Sequence, residues 1–336
     1  MSESGDFVPN RHYADDNFDR IRRAHDVHVG RGYAEARETG VDAKKLLPVK
    51  MKTKSRSPVV ILCDVTGSMG KSPGIMIKKM GYLEHEVREY LGDDVEFAFF
   101  AVGDIYSDTY PVQGQAFVKP EGTNVAESVA KLIIEGGGGG TGQESYEHSA
   151  LYLARNVEMP NAVRPICIFI GDEKPYDFVT REQAKQHAHV ALDQVRIITN
   201  QIFEELKAKF SVYLIRQTYH VDGDSMSHAD LEIRKAWVKL LGEDRVGDLP
   251  DPERIVDVIF GIMAQETNKV AYFRQELEER QLPDRGGKKK VETTYEALKT
   301  IHHGGEVEDK QDDDGDDEGC SVAHEPKRGK KSKDLL

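Results

Sequence analysis

An uninterrupted apolar run at residues 59–63 (VVILC) constrains the fold of this chain more than any other feature. A strand that is apolar on both faces belongs to a sheet covered on both sides, as the central strands of parallel sheets are. Comparable runs recur at residues 95–102, 166–170 and 211–215, and stretches with helical spacing of apolar residues separate them. The sequence therefore predicts an α/β fold with a doubly wound, mostly parallel central sheet flanked by helices.

The stretches between these runs contain the helix signals. Residues 72–92 begin with a Ser-Pro helix start and continue with apolar residues three or four apart. Residues 105–119 predict a short antiparallel excursion. Thr180 and Gln183 form a capping box, and the apolar stripe that follows predicts one long helix ending near residue 206.

Oxygen-bearing side chains follow the first apolar strand. Asp64 ends it, and the hydroxyls of Thr66 and Ser68 come two and four residues later. Carboxylate and hydroxyl oxygens are hard ligands, which suit Mg²⁺ or Ca²⁺ better than a soft metal. Because ligands of open α/β sheets bind beyond the carboxyl ends of the strands, these residues predict a divalent-cation site there.

A glycine-rich segment, residues 136–142 (GGGGGTG), precedes a predicted helix. A phosphate-binding P-loop requires Lys after its last glycine, where this chain has Gln143, and no predicted strand leads into the segment. We therefore expect a flexible loop that presents the hydroxyl of Thr141. A plain flexible linker is the alternative.

Further carboxylates fall near the same end of the predicted sheet. Asp172 follows the strand at residues 166–170, which thus also ends at a carboxylate. Asp104 and Glu144 are either groups that hold the metal-binding residues in place or solvent-exposed acids at the rim. The sequence favours the second interpretation.

The composition bears on compartment and partners. The chain has 46 basic and 59 acidic residues and a formal net charge of −13, which does not favour nucleic-acid binding. Its three cysteines cannot form a disulfide framework. The first residues lack the features of a signal peptide, and no apolar run approaches about 18 residues. The sequence predicts a cytoplasmic protein with no nucleic-acid or membrane partner.

Changes in composition along the chain predict its domain boundaries. Residues 1–57 are predicted as an N-terminal arm and residues 58–265 as the α/β domain. Residues 266–283 are predicted as a C-terminal helical extension. Residues 284–336 contain blocks of like charge and few apolar residues, so we expect a disordered tail that is either simply solvated or docks a partner.

The candidate residues, taken in order, resemble a known family. The motif Asp64-Val-Thr-Gly-Ser68, then Thr141 in a glycine-rich loop, then Asp172 after a buried strand resemble the metal-ion-dependent adhesion site of von Willebrand factor A (VWA) domains. The family pattern is Asp-x-Ser-x-Ser, a distant Thr and a distant Asp, and Thr66 replaces the more frequent Ser. The resemblance covers roughly residues 57–265. The Asp-x-Thr-Gly-Ser-Met form and the Gly-Gly-Gly loop resemble the intracellular, bacterial-type branch of the family.

The resemblance implies a specific function. The hydroxyls of Thr66, Ser68 and Thr141 would contact Mg²⁺, or another divalent cation such as Ca²⁺ or Mn²⁺, and Asp64 and Asp172 would act directly or through water. The last coordination position would take a carboxylate of a partner protein. The chain would thus be a non-enzymatic scaffold or adaptor. Its branch often works beside AAA+ ATPases or in bacterial stress and conflict systems, so an AAA+ ATPase is a candidate partner.

Two other interpretations stay open at this point. A strand ending in Asp64 is similar to haloacid dehalogenase-like phosphohydrolases, in which that Asp is the nucleophile and an Asp two residues later transfers the proton. Here the later residue is Thr66, so the proton-transfer group is missing. The other interpretation is a degenerate A domain that binds no metal. The chain shows no convincing Ser-His-Asp or Cys-His set, and the sequence predicts that it is not an enzyme.

Overall fold

The computed structural model describes residues 46–70, 72–135, 142–218, 221–222 and 225–302. A six-stranded sheet lies at its centre. In chain order the strands are β1 (Ser57–Asp64), β2 (Val95–Val102), β3 (Val112–Gly114), β4 (Ile166–Gly171), β5 (Ser211–Gln217) and β6 (Val246–Leu249). Their order across the sheet is β6-β5-β4-β1-β2-β3, with β3 antiparallel to β2 and the other neighbouring pairs parallel.

Helices connect and follow these strands. In chain order they are α1 (Ser72–Met80), α2 (Leu83–Leu91), α3 (Asn124–Val129), α4 (Tyr146–Asn156), α5 (Arg181–His187), α6 (Thr199–Lys207), α7 (His228–Leu241), α8 (Ile255–Glu266), α9 (Val270–Gln281) and α10 (Gly287–Leu298). Turns of 3-10 helix lie at Gly67–Met69, Glu243–Arg245 and Pro252–Arg254. Short strand pairs outside the sheet join Met51–Lys52 to Val157–Glu158, Gln143–Glu144 to Lys174–Pro175, Phe178–Thr180 to Arg196–Ile198, and Val221–Asp222 to Ser225–Met226.

The side chains of β1 alternate between two apolar cores, one on each face of the sheet. Val59 and Ile61 pack in the core that α1–α3 and α8–α10 cover. Val60 and Leu62 pack in the core that α4–α7 cover. Because successive side chains of a strand point to opposite faces, an apolar run of this length needs both covers. The prediction of a central sheet flanked by helices is confirmed.

The path of the chain creates a crevice beside β1. After β1 the chain adds β2 and β3 on one side, then returns to place β4 on the other side. The carboxyl ends of β1 and β4 therefore frame the point where the strand order reverses. Open α/β sheets bind ligands at such a point, because the two neighbouring loops leave the sheet in opposite directions there.

The predicted long helix after Thr180 is wrong. The capping box is present, but α5 ends at His187. His189 has a positive φ of 53°, which an α-helix cannot continue. The segment at residues 196–198 then pairs as a strand, and Val195 of the predicted apolar stripe is 74% exposed. The helix predicted over residues 72–92 is likewise divided, into α1 and α2.

The predicted disorder of residues 284–336 is wrong for the part that the structure describes. Residues 287–298 form α10, and Val291, Ala297 and Ile301 are buried in the same core as β1. Charged residues dominate the composition here, but the few apolar ones recur at helical spacing and reach the core. Residues 303–336 lie outside the described residues.

Only the end of the predicted N-terminal arm can be compared, because residues 1–45 also lie outside the described part of the chain. Leu46 and Leu47 are buried, and the strand Met51–Lys52 pairs in parallel with Val157–Glu158. Across the described residues, we find no helix with the length and apolar character that spanning a membrane requires.

Candidate metal centre

Four of the five predicted metal-site residues lie together at the carboxyl ends of β1 and β4. Asp64 is the last residue of β1, and Thr66 and Ser68 follow in the turn. The hydroxyl of Ser68 donates to Asp172 Oδ1 over 3.1 Å, which joins the loop after β1 to the loop after β4. Thr141, the fifth residue, lies outside the described part of the chain.

Asp64 is buried, and both of its carboxylate oxygens accept hydrogen bonds. Oδ1 accepts from the backbone N–H of Thr66 at 2.9 Å and from its hydroxyl at 2.7 Å. Oδ2 accepts from the hydroxyl of Tyr146. The Thr66 and Ser68 hydroxyl oxygens lie 3.1 Å apart. Asp64 thus orients Thr66, and the two hydroxyls of the turn meet at one point.

Tyr146 is a site residue that the sequence analysis missed. Its helical spacing assigns it to the core, and its ring does pack there, edge-on to Trp237 and Phe169. Its hydroxyl, however, reaches the carboxylate of Asp64. Burial, and then the charge of Asp64, raise the pKa of Tyr146, so the hydroxyl stays protonated and donates. No local sequence signal identifies this partner.

Asp172 has one satisfied and one unsatisfied oxygen. Oδ1 accepts from Ser68, whereas the buried Oδ2 has no hydrogen-bond partner within the described residues. The indole N–H of Trp237, in α7, donates to the backbone carbonyl of Glu173 over 2.8 Å and so holds the loop that carries Asp172. An orphaned buried carboxylate oxygen is unusual and calls for a partner such as a cation.

Asp104 and Glu144 are buried, so their prediction as solvent-exposed rim acids is wrong. Asp104 accepts hydrogen bonds from Tyr176 at 2.9 Å and from Ser107 at 2.8 Å. Both oxygens of Glu144 lack a hydrogen-bond partner within the described chain. The alternation of charged and polar residues in these loops resembles a surface pattern, and only the packing of the two loops buries them.

Interactions of Ser145 hold these two acid-bearing loops together. Its backbone N–H donates to the carbonyl of Gly103 over 3.1 Å, and its hydroxyl accepts from the backbone N–H of Ile105 at 2.8 Å. The loop after β2 and the loop before α4 therefore approach the metal-site turn as one unit. This explains how residues far apart in the chain, Asp104 and Glu144, are buried beside each other.

Burial raises the pKa values of the site carboxyls. It raises the pKa of Asp64, although the hydrogen bonds from Tyr146 and Thr66 oppose the rise. It also raises the pKa of Asp172, and the neighbouring charge of Asp64 adds to the effect. For Glu144, burial and then the charge of Asp64 raise the pKa to about 10. Several acids thus share a low-dielectric pocket in which negative charge is costly.

The donor set suits a hard cation. Thr66 and Ser68 supply hydroxyl oxygens, and Asp172 supplies a free carboxylate oxygen beside them. Within the described residues, no group of three or more His, Cys, Asp or Glu side chains is arranged to hold a metal ion. A metal at this position would therefore depend on the hydroxyls, which is typical of oxygen-rich Mg²⁺ coordination rather than of zinc-type ligation.

Comparison with known proteins leaves the family open. No family model and no curated protein matches this chain. Among solved structures, it is similar to the pilus adhesin SpaC from Lactobacillus rhamnosus GG, with a TM-score of 0.44 and 12% identity over 65% of this chain and 32% of SpaC. The open conformation of SpaC gives a TM-score of 0.45 and 11% identity over 67% of this chain and 31% of SpaC.

A further similarity is to proximal thread matrix protein 1 from the mussel byssus. Its TM-score is 0.38, with 10% identity over 64% of this chain and 49% of that protein. The present chain therefore spans less than half the length of each of these proteins. At TM-scores this low, the similarities carry no weight for family or function.

Proposed function

We propose that the site beside β1 and β4 binds Mg²⁺, or Ca²⁺ or Mn²⁺, and uses the ion to bind a carboxylate of a partner protein. The observation that carries the proposal is the hydrogen bond from Ser68 to Asp172, beside a buried Asp172 oxygen that has no partner in the described chain. A VWA-type adhesion site is the arrangement that this resembles. Thr66, Ser68, Thr141 and Asp172 would hold the ion, and Asp64 would orient Thr66.

Electrostatics support a cation at this point. Asp64 and Asp172 are both buried, and burial disfavours the charged form of each; for Asp172, the charge of Asp64 adds to the effect. A divalent ion beside them favours the charged form of these carboxyls and supplies the missing partner of Asp172. The unfolded chain cannot assemble ligands from segments this far apart, so the ion would stabilise the folded protein by mass action.

The open side of the site supports binding of a partner rather than of a buried substrate. Gly67 and Gly70 are exposed and Ser68 is half-buried, so the turn faces solvent. Hydroxyl ligands are neutral and leave the ion with residual positive charge. An incoming carboxylate then gains both coordination and charge neutralisation, whereas a neutral side chain gains only coordination. The partner would therefore present an acidic residue, and an AAA+ ATPase is the candidate that the family resemblance adds.

Phosphoester hydrolysis is not part of the proposal. A nucleophilic Asp64 would need a free oxygen and a nearby proton-transfer acid. Instead, both of its oxygens accept hydrogen bonds, and Thr66 stands where the acid would be. These contacts favour a role in positioning over a role in attack.

Thermal unfolding in the presence of Mg²⁺ tests the cation. At about 100 times its Kd, an ion that binds only the folded state stabilises it by about 2.7 kcal/mol. For a domain of this size, that is a rise of roughly 5–10 °C in the melting temperature. Asp172→Asn should remove most of the rise, whereas Asp93→Asn, at an exposed turn, should retain it. An equal rise in both variants would place the cation elsewhere.

Capture of partners in Mg²⁺ and release with a chelator tests the second half of the proposal. Thr141→Ala should weaken capture at least tenfold, which corresponds to about 1.4 kcal/mol. The same loss is expected when the acidic residue of the captured partner is replaced by its amide. Binding that withstands both the chelator and Thr141→Ala would move the partner surface away from this site.

A further inference from the structure

We propose that Glu144 is a further ligand of the cation. The inference rests on the proposed function, since it assigns one more residue of the chain to the same ion. Glu144 lies in the short strand Gln143–Glu144, which pairs in parallel with Lys174–Pro175 just after Asp172. The pairing holds its backbone beside the loop that carries a predicted ligand.

Glu144 is a buried carboxylate whose two oxygens are unsatisfied in the described chain. The residue is 0% exposed, and neither carboxylate oxygen has a hydrogen-bond partner among the described residues. Leaving a carboxylate buried without a donor destabilises the folded protein. A protonated carboxyl would not remove the cost, because its O–H and its carbonyl oxygen would both still lack a partner.

Two other buried glutamates of the described chain, Glu135 and Glu147, have the hydrogen bonds that Glu144 lacks. Glu135 accepts from two backbone N–H groups, at 2.7 and 3.3 Å. Glu147 is hydrogen-bonded to a histidine ring at 2.6 Å and accepts from a backbone N–H at 3.0 Å. Each of these two carboxylates has its donors from the protein. Among the described residues Glu144 has no such donor, so its carboxylate is open to a partner of another kind.

The surroundings of Glu144 identify the chemical class of that partner. The hydroxyl of Thr66, one of the proposed ligands, is close enough to act on the Glu144 carboxylate. The charges that act on it most strongly are those of Asp64, Asp104 and Asp108, and all three are negative. An anion or a neutral apolar group would add to the cost in this pocket. A divalent cation beside Thr66 satisfies Glu144 and lowers the repulsion among its neighbours.

A second carboxylate ligand changes how the ion would behave. With Asp172 and Glu144 as ligands, the charge of a divalent ion is already balanced, so the ion is held more tightly and attracts a partner carboxylate less. Glu144 would then set the balance between cation affinity and partner affinity. Its removal should weaken cation binding while leaving the hydroxyl ligands in place.

Calorimetric titration of the full chain with Mg²⁺, repeated with Mn²⁺ and read by electron paramagnetic resonance, tests the inference. Glu144→Gln keeps the size of the side chain and removes its charge, and it should raise the Kd for both ions at least tenfold. The matched control is Glu135→Gln, since the Gln oxygen can still accept both backbone hydrogen bonds; its Kd should stay within about twofold of the original. Cooperative thermal unfolding shows that each variant is folded, and Glu144→Ala replaces Glu144→Gln if the latter does not fold.

The outcomes separate the two proposals. Tight binding by the unaltered chain and by Glu144→Gln alike would overturn the role of Glu144 and leave the proposed function standing. Absence of Mg²⁺ and Mn²⁺ binding by the unaltered chain would overturn both. An equal loss of cation affinity in Glu135→Gln would show that removing any buried negative charge weakens binding. That result would also overturn the assignment of Glu144 as a ligand.

Discussion

Asp64, Asp172 and Glu144 differ in the number of hydrogen bonds that each carboxylate accepts. Asp64 receives two hydrogen bonds from Thr66 and one from Tyr146. Asp172 receives one, from Ser68, and Glu144 receives none within the described residues. The need for a cation therefore falls on Asp172 and Glu144, while Asp64 acts on the turn. Identical functional groups thus acquire different roles from their surroundings.

The raised pKa values predict how stability depends on pH. Burial raises the pKa of Asp172, and it raises the pKa of Glu144 to about 10 in the folded protein. Groups with a raised pKa in the folded state contribute stability that is fully present below about pH 4 and is lost as the pH rises through the folded values. The chelator-treated protein should therefore melt at a lower temperature at pH 8.5 than at pH 7.

The range from pH 7 to pH 8.5 and the variant Asp172→Asn separate the effect of these carboxyls from that of other titrating groups. Burial lowers the folded pKa of both His85 and His187 to about 4, so these histidines are neutral in the folded and unfolded states above pH 7. Asp172→Asn should make the decrease in melting temperature between pH 7 and pH 8.5 smaller. Saturating Mg²⁺ should also reduce this decrease, because the ion keeps the carboxylates charged. A melting temperature that stays constant or rises between pH 7 and pH 8.5 would contradict the prediction.

At the scale of elements, β4 and α4 meet at a close contact beside the site. Gly171 ends β4, and a Cβ atom built at this glycine would lie 2.0 Å from the hydroxyl oxygen of Tyr146 in α4. Tyr146 is fully buried and cannot swing away. The glycine thus leaves the space through which the tyrosine hydroxyl reaches Asp64.

Gly171→Ala should therefore disturb both stability and the site. Overpacking of this kind costs about 1–3 kcal/mol, and displacement of Tyr146 should also reduce stabilisation by Mg²⁺. Gly74→Ala in α1 is the control, because no atom lies within 4 Å of its Cβ position and the helix gains from alanine. Thermal unfolding with and without Mg²⁺ measures both effects. If the two variants unfold at the same temperature and respond equally to Mg²⁺, the contact between Gly171 and Tyr146 affects neither stability nor the site.

At the scale of the whole molecule, the last described helix belongs to the core of the α/β domain. Val291, Ala297 and Ile301 are buried in the same core as residues of β1 and α8. Gly261 of α8 allows a close approach, since a Cβ there would lie 2.2 Å from Leu298. The domain core thus extends past residue 265, the predicted end of the α/β domain, and past residue 283, the predicted end of the helical extension.

Two truncations test this extension. A chain ending at Pro283 lacks α10, whereas a chain ending at His302 retains it. Each fully buried Val or Ile contributes about 1.5–3 kcal/mol, so the shorter chain should lose about 4 kcal/mol relative to the longer one. At roughly 2–4 °C per kcal/mol, its melting temperature should be about 8–16 °C lower. A difference within about 2 °C would show that α10 does not stabilise the domain.

Local pattern was enough to predict the central strands, but neither the edge strand β6 nor every helix. The apolar runs at residues 59–63 and 166–170 lie within β1 and β4, because a strand buried on both faces must be apolar at each position. The stripe from Ala184 to Leu206 matched a helix in spacing, yet α5 ends at His187. Spacing indicates which residues face inward, but not whether the backbone continues unbroken between them.

The sequence by itself determined that Asp64 and Asp172 stand at the ends of buried strands, because each follows an apolar run that must be covered on both faces. The pairing of these two strands as neighbours came from the tertiary structure. Only the tertiary structure decided which partners they have. Tyr146 reaches Asp64 from 82 residues away, and the paired strands Gln143–Glu144 and Lys174–Pro175 bring Glu144 to the same edge. Burial of a polar group depends on what packs over it, and here the covering residues come from distant segments. The apolar requirement of a strand is local, whereas the environment of a charge is a property of the whole fold.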